Sequence, residues 1–145
     1  MRTVRCLPVV IGCLLAIACV KKEDLIVWNS ELKFPDGMWV ASAETVQNGG
    51  FGSAHIDTSV YLKQAVSQQP PVEVLGFSGD GPVPHPYVLD NVANRGGTIN
   101  LTMKWTTPTH LHVTYEGHPD IQFQAVRMAG IEITLENLSS PTERH

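Results

Sequence analysis

The chain has 145 residues, 43% of them hydrophobic, with 10 basic against 14 acidic side chains and a net charge of −4. That length holds one domain once any targeting segment is set aside. The acidic balance argues against nucleic acid, which calls for a basic stripe, and against an electrostatic hold on anionic lipid.

Met1-Arg2-Thr3-Val4-Arg5 forms a basic opening, Cys6 to Ala18 is an uncharged apolar run, and Lys21-Lys22-Glu23-Asp24 closes it. The run is shorter than the about 20 residues of a membrane span and fits the core of a secretory signal. Residues 1–18 are therefore expected to be a helical signal peptide. Ala16-Ile17-Ala18-Cys19 ends the run. Ala-x-Ala is an ordinary export cleavage site, and the same four residues resemble a bacterial lipobox that would make Cys19 the lipidated first residue. Val10-Ile11-Gly12-Cys13 is a second such match with little apolar sequence before it. Cys6 and Cys13 lie within the signal, so the processed chain has no cysteine pair and must rely on its core. Loss of Arg2 and Arg5 would leave 8 basic residues against 14 acidic, a net of −6.

Residues 19–24 read as a short tether, 25–138 as the β-domain and 139–145 as a polar tail. Ile26, Trp28, Leu32 and Phe34 mark one face of a first strand, and Pro35-Asp36-Gly37 turns it. Trp39, Ala41, Ala43 and Thr45 alternate with Val40, Ser42 and Glu44, as Ile56, Thr58, Val60 and Leu62 do after the loop Gln47–Gly52. Val72 to Phe77 is a fourth strand. Ser78 to Asn94 reads as a long loop rich in glycine and proline, with room for one helical turn over Pro86–Asn94. Ile99, Leu101, Met103 and Trp105 then face Leu111, Val113 and Tyr115 across a hairpin. Ile121, Phe123 and Ala125 continue the alternation, Gly130 reads as a bulge, and Ile131, Ile133 and Leu135 finish it. The expected fold is all-β, a single antiparallel sandwich or curved meander of about seven short strands.

The opening Phe34-Pro35-Asp36-Gly37-Met38-Trp39-Val40-Ala41 resembles that of a family of small uncharacterised bacterial envelope β-domains, S-P-D-G-K-Y-V-A. The likeness continues through Asn48-Gly49-Gly50, Asp80-Gly81, the hairpin Trp105 with Leu111-His112-Val113-Thr114-Tyr115, and Gly130 to Thr134. It spans residues 32 to 135, with Phe34 in place of Ser and Met38 in place of a basic residue. The resemblance implies an exported β-domain and brings no activity with it.

Candidate site residues are few. Asn48, Gly49 and Gly50, with Asp80, are ligand-loop candidates because glycine lets backbone approach a ligand closely. His110 and His112, at i and i+2, share a strand face and are candidate metal ligands, with Glu116 on the same face and His118 nearby. Glu44 and Asp57 flank the glycine loop as a candidate acid–base pair of a hydrolase. No serine elbow, phosphate loop or dinucleotide fingerprint occurs, and no cofactor is implied. The expected role is a non-enzymatic one in binding or structure, in the bacterial envelope. The expected contacts are a membrane, through an acyl anchor, and an envelope protein partner. Periplasmic metal binding, hydrolysis and a soluble periplasmic or secreted location are the alternatives.

Overall fold

A computed structural model of the chain describes residues 25–49, 55–79 and 96–139. The signal segment, Cys19, Gly50, Asp80, the Pro86–Asn94 turn and most of the polar tail lie outside them. Among the described residues no helix is long and apolar enough to cross a membrane.

The described residues are all-β, with nine strands: β1 (Leu25–Lys33), β2 (Trp39–Asn48), β3 (His55–Gln64), β4 (Val72–Gly79), β5 (Thr102–Thr107), β6 (His110–Tyr115), β7 (Asp120–Gln124), β8 (Arg127–Met128) and β9 (Ile131–Asn137). Five form one sheet in the order β1-β2-β3-β4-β7, and four form a second in the order β5-β6-β9-β8. Their inward faces share one core. Trp28, Ala41, Val60, Leu62, Leu75 and Phe77 meet Leu111, Val113, Tyr115, Ile131 and Ile133 there. The rings of Phe77 and Tyr115 join the layers, 5.1 Å between centroids.

The alternation read in β2 and β3 is realised. Ala41, Ala43 and Thr45 are buried on one strand, and Ile56, Thr58, Val60 and Leu62 on the other. The Pro35-Asp36-Gly37 turn also forms. Gly37 takes φ 74°, its N–H donates to Phe34 O at 2.8 Å, and Met38 N–H donates to Asp36 Oδ1 at 2.8 Å.

Four expectations are corrected. The last apolar run is three strands and not one, because Ala129 and Gly130 both have positive φ, 48° and 84°. That is the geometry of a tight two-residue hairpin turn, so Gly130 closes β8 onto β9 and is no bulge. The chain also changes layers there: β7 pairs with β4, whereas β8 and β9 belong to the other sheet. Because this crossing separates β6 from β9, their pairing is parallel, and the second sheet is mixed where an antiparallel one was expected. In β1 the register slips between Ile26 and Trp28. Val27 and Trp28 are consequently both buried and Ile26 is exposed, so Ile26 does not share the face of Trp28. Finally, the strand expected from Ile99 starts at Thr102, after a 3-10 turn over Gly97–Ile99. Gly97 is needed at φ 62°, since a Cβ there would stand 2.7 Å from Thr45 Oγ1 and 3.0 Å from the Trp28 ring.

Register also defines two ends. Leu25, Asn48, His55 and Gly79 lie at the end where the chain enters β1. Lys33, Trp39, Gln64 and Val72 lie at the opposite end.

Candidate functional site

Burying Ala41, Ala43, Thr45, Ile56, Thr58, Val60 and Leu62 forces their strand neighbours outward. The outward face of the five-stranded sheet therefore carries Glu44 and Asn48 from β2, and His55, Asp57, Ser59 and Tyr61 from β3. Register sets Glu44 opposite Ser59 and Asn48 opposite His55. On the other side of β3, Tyr61 is opposite Glu73 and Asp57 opposite Ser78.

These side chains bind one another in pairs. Tyr61 OH donates to Glu44 Oε1 at 3.2 Å, and Ser59 Oγ donates to Glu73 Oε1 at 2.7 Å. Asn48 Nδ2 donates to Asp57 Oδ2 at 2.5 Å, and His55 Nε2 lies 3.2 Å from the same oxygen. Gly76 leaves room for this arrangement, because a Cβ there would come within 2.9 Å of Glu73 Oε1. Burial, and then the charges of Glu44 and Glu73, push the Tyr61 hydroxyl above its usual value, partly offset by its hydrogen bond with Ser59.

Two shallow depressions open on this face. His55, Asp57, Ser59, Glu73, Gly76 and Ser78 line one of about 370 Å³, floored by β3, β4 and β7. Glu44, Ser42 and Tyr61 line a smaller one of about 160 Å³ toward β1. The two carboxylates read as an acid–base pair thus share a face but line separate depressions, each occupied with its own partner. Chemically the face is rich in acceptors, with three carboxylates held in place by hydroxyl, amide and imidazole donors.

Of the ligand-loop candidates, Asn48 uses its amide to hold Asp57, and Gly49 takes φ 89° where the strand ends. Gly50 and Asp80 fall outside the described residues, as does Cys19.

His110 and His112 do share the outward face of the second sheet, half-buried. Parallel pairing places Thr134 directly opposite His112. Thr134 Oγ1 is 2.8 Å from His110 Nε2 and 2.9 Å from His112 Nδ1, while His112 Nε2 is 3.2 Å from Glu136 Oε2. The hydroxyl has one proton, so with two neutral imidazoles it donates to one ring and accepts from the other. Glu116 does not join them. It lies past the end of β6 and accepts a hydrogen bond from Asn100 Nδ2 at 2.7 Å. Among the described residues no three His, Cys, Asp or Glu side chains are grouped to hold a metal ion.

The sequence alone did not reveal Thr134, Glu136 or Glu73, because each reaches its partner through long-range strand pairing. Local alternation could place Thr134 and Glu136 on an outward face, but could not name the strand beside them. Comparison of the chain with protein-family models, with curated proteins and with solved structures gives no match.

Proposed function

We propose that this chain is an exported, lipid-anchored domain of a bacterial envelope that works by binding and not by catalysis. The observation that carries the reading is Ala16-Ile17-Ala18-Cys19 at the end of an apolar run behind a basic opening. The motif order shared with the envelope β-domain family supports it, as does a domain without cysteine pairs. Two β-layers around one core fit the expected sandwich. Residues 20–24, at most about 3.6 Å each, would hold the Leu25 end within about 20 Å of the bilayer.

The binding surface in this reading is the outward face of the five-stranded sheet. Its fixed carboxylates, Glu44, Asp57 and Glu73, suit a partner that presents hydroxyl or ammonium donors. The separate depressions around Glu44 and Asp57 lend a hydrolase no support. A metal role for His110 and His112 has only their shared contact with Thr134 in its favour.

Fractionation of the host tests the anchor. The chain should sediment with membranes, and Cys19→Ser should release it to the soluble envelope fraction. Equal membrane retention of both forms would overturn the reading.

A further inference from the structure

At the end of the molecule away from Leu25, apolar side chains stand in the open. Val66 is 90% exposed, Met38 61% and Val72 49%. Ala65 N–H donates to Met38 O at 2.9 Å, which fixes the turn carrying Val66 against the Met38 turn. Beside it a cleft of about 240 Å³ opens, lined by Trp39, Leu62, Pro70, Val72, Met128 and Ala129. Trp39 and Met128 pack inward on the core, so two walls of the cleft are held from behind. A projecting apolar side chain and a shallow cleft with apolar walls, edged by Lys63, Gln64, Ser67 and Gln69, therefore lie side by side on one surface.

A two-fold contact needs that arrangement, because the same patch must be complementary to itself. The charges around the cleft meet the same requirement. Lys63 lines it, Arg127 adjoins Met128 and is paired in register with Glu132, and Asp36 sits in the Met38 turn. Both signs are present at this end, so turning one copy onto another can set cations against anions. The chain as a whole is negative, with a net of −4, and the outward face bearing Glu44, Asp57 and Glu73 would repel its own copy.

We propose that a second copy of this chain covers this end, with Val66 of each copy seated in the cleft of the other. A contact built on one seated side chain per copy is a weak one, so the dimer depends on concentration. Nothing in this inference requires the lipid anchor, and its test reads association, not location.

Sedimentation of the processed full-length chain over a concentration series provides that test. The weight-average mass should climb from one chain toward two. Val66→Asp would bury a carboxylate in the partner's cleft and should weaken the dimer at least about tenfold, or about 1.4 kcal/mol. Val66 is so exposed that the substitution should leave the melting temperature of the monomer unchanged. In the host, copies bearing Val66→Cys and differently tagged copies bearing Met128→Cys should form a mixed disulfide under mild oxidation. A mass that stays at one chain throughout, or a dimer that tolerates both Val66→Asp and Met38→Lys, would overturn the proposal.

Discussion

Thr45 and Thr58 are the polar residues buried in the apolar core among the described residues, at 0% and 2% exposure. They face each other across β2 and β3, with 2.8 Å between their hydroxyl oxygens. Trp28 stands beside Thr45 on the neighbouring strand of the same sheet, and Gly97 packs against both. Valine has nearly the same shape as threonine, so Thr45→Val or Thr58→Val removes a hydroxyl without opening a cavity. Each single substitution strands the remaining hydroxyl in the core, at about 1–3 kcal/mol. The double substitution removes both polar groups and should be close to neutral, because no orphan is left. Urea unfolding followed by tryptophan fluorescence measures the cycle. Both single variants should lose about 1–3 kcal/mol, melting about 4 °C lower for each kcal/mol, and the double variant should recover most of it. If the double variant loses the sum of the two singles, the hydroxyls are not a pair and this account of the core is wrong.

Further outcomes follow from other parts of the molecule. Trp105 is half-buried, edge-on to Phe34 at 5.5 Å, and its Nε1–H donates to Leu32 O at 3.4 Å. Trp105→Ala should therefore cost about 2–3 kcal/mol, below the about 3–5 of a fully buried ring, and a loss under about 1 would place the ring in solvent. Replacing His110 and His112 together by Gln should change stability by no more than about 1 kcal/mol. Calorimetric titration with zinc should show no tight stoichiometric site, and one that this double substitution abolished would revive the metal reading. The raised value of the Tyr61 hydroxyl favours its neutral form in the folded chain. Its contribution is complete below the ordinary tyrosine range and is lost as pH rises through the raised folded value. Unfolding midpoints between about pH 9 and 11 should fall less steeply in Tyr61→Phe than in the unaltered chain. Parallel curves would remove Tyr61 from the alkaline response.

Local pattern was enough where one face of a strand is buried along its whole length. Ala41 to Thr45 and Ile56 to Leu62 alternate cleanly, and both strands formed where the sequence put them. The pattern failed where two adjacent apolar residues both turn inward. Val27-Trp28 and Val74-Leu75 are such pairs, and each coincides with a slip in register that no alternation can announce. It failed again after Asp120. Ile121 and Phe123 look like core residues, yet they sit on an edge strand at 44% and 49% exposure. Which layer a strand joins depends on partners far away in sequence, here β4 for β7 and β6 for β9. The outward face of His110 and His112 was legible for the same local reason that Thr134 beside them was not. The pairing of Asp57 with Asn48 and of Glu73 with Ser59 likewise depends on register between strands.

The central claim, an envelope domain held by an acyl chain on Cys19, is tested most directly by the intact mass of the chain isolated from its host. The account predicts a mature chain that begins at Cys19 and carries the added mass of acyl groups on that residue. A chain whose first residue is unmodified, or one that still carries residues 1–18, would contradict it.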